Sequence, residues 1–288
     1  MARKPRGIVK FPGSKNLLAK WIISKFPLWR DSQIELFGGS AAVTMATEPS
    51  HRLEVINDLN WEMINLFTMI RDRPEEMFHK IYFTLWTAES LKKALEPADD
   101  LIERAYRYYC RLWMAFYPFD DPPSFRRQKF VHRDSNGSPM GIAAHHWGRK
   151  PDQIFDASGR LRRVQFENMD ALELIADYDH PRALFYADPP YTKGERVRKN
   201  HYGGFEYSEA DHVALAEALL DIEGMAVLSG YANDLYSVLY EDRGWARVDR
   251  AGMVDGGGKK TESLWLNPAV QERLELEKSE QMAFAFME

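Results

Sequence analysis

Gln33-Ile34-Glu35-Leu36-Phe37-Gly38-Gly39-Ser40 is the stretch that decides the fold. Its first five residues read as a buried strand that Gly38-Gly39 stops, and Ser40 is placed to cap a helix beginning Ala41-Ala42-Val43. Leu53 to Ile56 reads as a second strand, ending at Asn57-Asp58. After it, Trp61, Ile64, Phe67 and Ile70 recur at three-residue steps, one apolar stripe facing a core. Strand, helix, strand, helix is the opening of a doubly wound α/β sheet.

Outward from this opening the pattern changes. From about Arg73 to Tyr117 it is helical only, with Leu101, Ala105, Tyr109, Leu112 and Phe116 along one face, and a Pro-broken basic stretch follows to Lys150. The block reads as an insertion. Residues 73–159 are expected to form a subdomain, residues 1–72 and 160–270 a discontinuous main domain, and residues 271–288 a charged, helical tail. Strand character returns at Ala183-Leu184-Phe185-Tyr186-Ala187 and runs directly into Asp188-Pro189-Pro190-Tyr191. Ser208 opens a helix with Asp211 as its capping partner and Val213, Ala216, Leu219 and Leu220 facing inward. Ala226 to Ser229 and Ser263 to Leu266 are further strands, separated by Gly256-Gly257-Gly258-Lys259-Lys260.

With 288 residues, 45% of them hydrophobic, the chain can build one substantial α/β core plus an inserted unit. Its single cysteine, Cys110, excludes an internal disulfide framework and a thiolate metal cluster, and no apolar run approaches the roughly 20 residues of a membrane span. The basic start Met1-Ala2-Arg3-Lys4 leads into no apolar signal core, so a reducing, cytoplasmic location is expected. The net charge of −5 argues mildly against a polyanion partner, but its distribution is uneven. Ser124 to Arg133 holds Arg126, Arg127, Lys129 and Arg133 without an acid, and a second basic stretch holds Lys193, Arg196, Arg198, Lys199 and His201. Either could be a solvated loop when taken alone.

In an open α/β sheet, ligands bind beyond the carboxyl ends of the strands. Phe37-Gly38-Gly39-Ser40 gives a tight turn there, and Asp58, twenty residues beyond Gly38, is placed to accept hydrogen bonds from ribose hydroxyls. Together they suggest a nucleoside cofactor. The G-x-G-x-x-G fingerprint of nicotinamide enzymes is absent, and Gly13-Ser14-Lys15 lacks the first glycine of a phosphate loop.

Asp188-Pro189-Pro190-Tyr191 is more specific. Two prolines at a strand end stiffen the backbone and leave carbonyls without local N–H donors. That geometry suits a planar amine such as adenine N6, whose lone pair is delocalised into the ring. A carboxylate and a proline carbonyl accepting its two hydrogens would favour a pyramidal nitrogen and stabilise the charge that develops on it. Tyr191 would stack on the base, extruded because N6 is paired inside a duplex.

These residues resemble the Dam-type, D12-class adenine-N6 DNA methyltransferases of the α arrangement, phage members included, over most of the chain. Lys10-Phe11-Pro12-Gly13-Ser14-Lys15 looks like the family's amino-terminal cofactor motif, and Glu35 to Ser40 like its glycine loop, in a compressed form. Asn57-Asp58-Leu59-Asn60 with Ile64-Asn65 resembles its ribose-binding segment, and Asp188 to Tyr191 its catalytic motif. The resemblance implies a Rossmann-like mixed sheet with helices on both faces and an inserted, mainly helical target-recognition subdomain. It implies S-adenosylmethionine as cofactor, contacted by Phe11, Gly13, Ser14, Lys15, Phe37, Gly38, Gly39, Ser40, Asp58 and Asp188. Asn168 and Asp170 are similar to residues near the cofactor adenine, although Asp170 reads equally well as a helix cap. Tyr231 would line the side of the target base.

The implied partner is double-stranded DNA, bound by a monomer without metal or membrane. Arg126, Arg127, Lys129 and Arg133 would meet the duplex from the insertion, with a hairpin tip at Arg133-Asp134-Ser135-Asn136-Gly137-Ser138. Lys193 to His201 would close over the displaced nucleotide. His145-His146 lacks partners at ligand spacing and reads as a surface loop, and Cys110 lacks the preceding proline of the cytosine-C5 enzymes. Three alternatives stay open on sequence: an enzyme acting on adenine in RNA or on another amine, an inactive DNA-binding relative, and a dinucleotide-dependent oxidoreductase.

Overall fold

The computed structural model describes residues 8–131, 133, 143–191, 204–253 and 259–285, of which 252, 253, 259, 260 and 283–285 are described as backbone. Its elements in chain order are α1 (Ala19–Ile23), β1 (Ser32–Glu35), α2 (Ala42–Ala46), β2 (Leu53–Asn57), α3 (Trp61–Asp72), α4 (Pro74–Tyr82), α5 (Ala88–Ala94), α6 (Leu101–Met114), α7 (Ala143–Gly148), α8 (Lys150–Leu161), β3 (Val164–Glu167), α9 (Ala171–Tyr178), β4 (Ala183–Ala187), α10 (Glu209–Leu220), β5 (Met225–Gly230), α11 (Asp234–Leu239), β6 (Ala246–Met253), β7 (Lys259–Leu266) and α12 (Pro268–Ala285).

The seven strands form one sheet in the order β3-β2-β1-β4-β5-β7-β6. β1 to β5 are parallel, while β7 runs antiparallel to both β5 and β6. This is the doubly wound sheet that the strand-helix opening predicts, and it is mixed as the family resemblance implies. The chain leaves β1 in one direction and returns to its other side at β4, so the topological switch point, and with it the ligand crevice, lies above β1 and β4.

β1, β4 and β5 are buried along their whole length, as central strands covered on both faces must be. Their side chains alternate between two cores. Leu184, Tyr186 and Val227 pack with α1 and α12, while Phe185, Ala187 and Leu228 pack with α9, α10 and α11. A third cluster joins Ile56 and Val164 of the sheet to α3, α4, α5, α6 and α8, so helices from the 73–159 block share a hydrophobic core with β2 and α3. α8 is tied down further by Arg160, whose guanidinium donates to both Glu54 oxygens at 2.6 and 2.9 Å and to the Thr44 carbonyl at 2.6 Å, all out of solvent.

Local signals act as read at several points. Ser208 and Asp211 cap α10 reciprocally and Asp170 caps α9, while Asn60, outside those expectations, caps α3. Ser40 is a correction. The chain leaves β1 through left-handed backbone at Gly39 (φ 46°) and Ala41 (φ 51°), Ala41 occupies the cap position of α2, and no side chain caps it. The turn instead brings the Ser40 hydroxyl to that of Ser14, at 2.7 Å. The apolar stripes are also narrower than expected. Ala105, Tyr109 and Leu112 are buried, but Leu101 is 46% and Phe116 52% exposed, and Trp61, 38% exposed, lies under the Arg104 guanidinium.

Candidate active site

A cavity of about 280 Å³ opens at the switch point, between the amino-terminal loop and the carboxyl ends of β1, β2 and β4. Phe11, Gly13, Ser14, Lys15, Phe37, Gly38, Gly39, Ser40, Asp58, Asp170, Asp188 and Pro190 line it together, as do Glu35 and Asn60. Asn168, Pro189 and Tyr191 stand behind this wall. Lys193, Arg196, Arg198, Lys199 and His201 lie outside the described residues, as does the expected hairpin tip beyond Arg133.

The two glycines do different work. A side chain at Gly38 would meet Ile56 Cγ2 at 2.7 Å and the Asn57 carbonyl at 2.9 Å, so this glycine lets β1 turn against β2. At Gly39 the left-handed backbone and the Phe11 ring, 3.3 Å from an added Cβ, set the requirement. Gly39 N–H and Asn60 N–H donate to the two Asp58 oxygens at 2.7 and 2.8 Å. Burial raises the pKa of Asp58, and these two bonds work in the opposite direction. A carboxylate offers about four acceptor positions, so about two remain beyond these bonds. Asn168 acts one step back, its amide donating to the carbonyls of Asp58 and Leu59 at 2.7 and 3.1 Å.

Lys15 is the centre of the opposite wall. Its ammonium, buried at the end of the amino-terminal loop, lies 2.9 Å from Asp188 Oδ1 and 3.2 Å from Glu262 Oε1, and donates to the Tyr191 hydroxyl at 2.7 Å. Burial alone would drive its proton off; the two carboxylates outweigh that and raise its pKa. The Tyr191 hydroxyl donates in turn to Glu262 at 2.8 Å, and Ser229 donates to the same oxygen at 3.1 Å. Burial, reinforced by Glu262 and opposed by Lys15, holds Asp188 at about 6. Tyr191 itself is 8% exposed, with its ring packed 4.6 Å from that of Tyr231 at a tilt of 45°, the Lys15 ammonium 5.0 Å over it, and its hydroxyl held in the charged knot.

Four residues take roles that the sequence reading did not assign to them. Glu262 and Ser229 reach the knot only because β7 pairs antiparallel with β5 at the carboxyl edge. Asn57 pins three strand ends, its side chain bonding the Leu36 and Met169 carbonyls and the Met169 N–H at 3.0 to 3.1 Å. Glu35, read only as part of the glycine loop, is buried on the cavity wall and accepts from both the N–H and hydroxyl of Thr44; burial still pushes its carboxyl up to about 7. Of the expected DNA-facing cations, Arg127, Lys129 and Arg133 are exposed, whereas Arg126 is half-buried and donates to the Ala115 carbonyl at 2.8 Å. Among the described residues no group of three His, Cys, Asp or Glu could hold a metal ion, and no helix is long and apolar enough to cross a membrane. Cys110 is buried, which pushes its thiol up to about 12 and away from nucleophilic use.

A mixed sheet with a parallel centre, an acid-lined crevice at its switch point, no glycine fingerprint for a dinucleotide and an Asp-Pro-Pro-Tyr strand end is the architecture of the Rossmann-like methyl-transferring enzymes. The family model of the D12 class N6 adenine-specific DNA methyltransferases matches residues 11–98 and 127–251, and the chain belongs to that family: it methylates adenine N6 in DNA. Phe11, Lys15, Asp58 and Asp188 fall inside the matched segments and Glu262 beyond them. Among solved structures, "Putative methyltransferase yhhF from Escherichia coli" is similar to this chain at 10% identity and a TM-score of 0.32, covering 88% of this chain and 83% of its own.

Proposed function

We propose that the methyl donor is S-adenosylmethionine, that the substrate is adenine extruded from duplex DNA, and that Asp188 with the adjacent proline carbonyl handles the amine. The observation that carries this is the position of Asp188 at the cavity edge, ion-paired to a buried lysine and next to two consecutive prolines. The donor site fits a nucleoside with vicinal hydroxyls. Asp58 lines the cavity with acceptor capacity left beyond its two backbone bonds, the absence of a side chain at Gly39 leaves the Phe11 ring on the wall, and Asp170 lines the same cavity. The donor supplies an electrophilic methyl group on a sulfonium.

Everything else falls to this chain. Asp188 and a proline carbonyl accept the two N6 hydrogens, which localises the lone pair on nitrogen for in-line attack. As the nitrogen–carbon bond forms, the electrons of the methyl–sulfur bond leave with sulfur, and Asp188 takes the surplus amine proton. Tyr191 and Tyr231 wall the target side, with Tyr191 needing to turn from Tyr231 to offer its face to a base. The helical block of residues 73–159, with Arg127, Lys129 and Arg133, meets the phosphates, assisted by the segment from Lys193 to Lys199. The chain works as a monomer, and a cytoplasmic location suits its one buried cysteine.

Incubating the protein with methyl-labelled S-adenosylmethionine and unmethylated duplex DNA, then separating the nucleosides, tests the reading. Label belongs in N6-methyladenine, and Asp188→Asn lowers the rate by about a hundredfold or more while leaving cofactor affinity within an order of magnitude. Label in another nucleoside, or Asp188→Asn at full rate, overturns it.

A further inference from the structure

The end of α7 and its turn into α8 gather basic residues that the reaction centre does not use. His145, His146 and Arg149 are exposed there, with Arg149 N–H bonded to the His146 carbonyl at 3.3 Å. Beneath them Lys150 is 7% exposed; its ammonium lies 3.7 Å over the Trp113 ring and donates to Gln153 at 3.0 Å, and neither partner is an anion. Burial and the neighbouring Arg149 push Lys150 down to about 8. The charges acting most strongly on His146, after burial, come from Lys150, Arg149, His145 and Lys10. Keeping the Arg149 charge beside a buried ammonium costs stability, and such local conflict marks places where a partner supplies the missing charge.

Two contacts extend the patch toward the active site. Trp113 donates its indole N–H to the Ile8 carbonyl at 3.2 Å, laying the amino-terminal segment beside Lys150. Phe11, which lines the cavity, follows Ile8 by three residues, a span of at most about 11 Å. On the other side, Ala143 N–H donates to the Gln128 side chain at 2.8 Å, which fastens α7 to the segment carrying the exposed Arg127 and Lys129. Three chain segments thus form one cationic face beside the cavity.

We propose that this face, with Arg149 and Lys10 as its principal contacts, binds backbone phosphates of the substrate duplex near the target adenine. The inference rests on the reading of the chain as an enzyme of duplex DNA. Each phosphate neutralised by a protein cation displaces condensed counterions, so each contact adds about 0.9 to the steepness with which affinity falls with salt.

The test is binding of the full chain to mixed-sequence duplex DNA between 50 and 200 mM NaCl, for the wild type, Arg149→Ala, Lys10→Ala and Arg243→Ala. Arg243 is exposed just before β6, at the sheet edge opposite the cavity, and controls for the loss of one charge. Over this fourfold rise in salt, Kd of Arg149→Ala or Lys10→Ala should climb about 3.5-fold less than that of the wild type, while Arg243→Ala follows the wild type. If Arg149→Ala behaves like Arg243→Ala, the face binds no phosphate and the proposal fails. If the wild type binds no duplex, or prefers single-stranded RNA, the duplex reading beneath it fails instead.

Discussion

Replacing Glu262 by glutamine should move the acid limb of the pH–rate profile toward lower pH. Asp188 and Glu262 lie 2.9 and 3.2 Å from the same Lys15 nitrogen, so their oxygens are no more than about 6 Å apart. Two like charges at about 6 Å repel by about 2.7 kcal/mol at an effective dielectric constant of about 20, and by about 0.7 kcal/mol in bulk water. In titration terms this is between about half a pH unit and about two. Burial is the main cause that holds the Asp188 carboxyl up, near 6, and Glu262 adds to it, so removing the Glu262 charge lets Asp188 ionise at lower pH. Glutamine preserves the shape, and its carbonyl can still accept from two of the three donors Tyr191, Ser229 and Lys15. The measurement is kcat/KM for methyl transfer from pH 5 to 8. The wild type should lose activity below about 6 with the slope of one proton, and Glu262→Gln should carry that limb down by the stated amount. Glu35, which titrates near 7 on the same cavity wall, is separated by repeating the pair in a Glu35→Gln background. A limb that stays in place, or moves up, refutes the role given to Glu262 and the assignment of the limb to Asp188.

Glu35 predicts the pH dependence of stability. Its folded carboxyl is pushed from the ordinary 4.5 up to about 7, so the folded state resists its ionisation; stability should decline as pH rises between these values, and Glu35→Gln should remove up to about 3 kcal/mol of that decline in urea titrations at pH 5 and 8. Arg160→Met strands the buried Glu54 carboxylate and should cost about 3–5 kcal/mol, with Glu54→Gln in the same chain recovering part of it; an unchanged urea midpoint would show the pair to be dispensable. Gly38→Ala drives a methyl group into Ile56 and the Asn57 carbonyl, at a cost of about 1–3 kcal/mol and with weaker cofactor binding by calorimetry. Gly159→Ala on α8 meets open space and should instead gain about 0.5–1 kcal/mol.

The legibility of this molecule follows from which forces act locally. β4 and its Asp-Pro-Pro-Tyr end could be read because a central parallel strand must be continuously apolar, and imino acids must end it. The α10 cap could be read because both of its partners lie within one turn. Ser40 could not, since its side chain had two possible uses and the left-handed turn at Gly39 and Ala41 chose the distant one. β6 escaped because an edge strand such as Ala246–Met253 carries polar residues on its open side and loses the apolar signature. α7 and α8 hid behind Pro151, which breaks a helix interior but is at home in its first turn, where it stands in α8. Glu262 stands one residue before the strand read at Ser263 to Leu266; only the placement of β7 between β5 and β6 carries it to a lysine near the other end of the chain.

The second carboxylate also explains how a buried lysine can serve a proton-accepting aspartate. With Asp188 ionised, Lys15 sits between two anions and the knot carries one net negative charge. When Asp188 takes the amine proton, that negative charge disappears and Lys15 remains paired with Glu262, so no uncompensated charge is left in the interior. Without Glu262, the same proton transfer would leave the buried ammonium facing only neutral groups, a state of the kind that costs several kcal/mol in a protein core. Glu262→Gln should therefore gain activity range at low pH and lose maximal rate at neutral pH, with cofactor affinity little changed because Asp58 and the glycine turn stand on the other wall. A glutamate that merely braced β7 would lower stability, but it would not produce these two opposite effects on the rate.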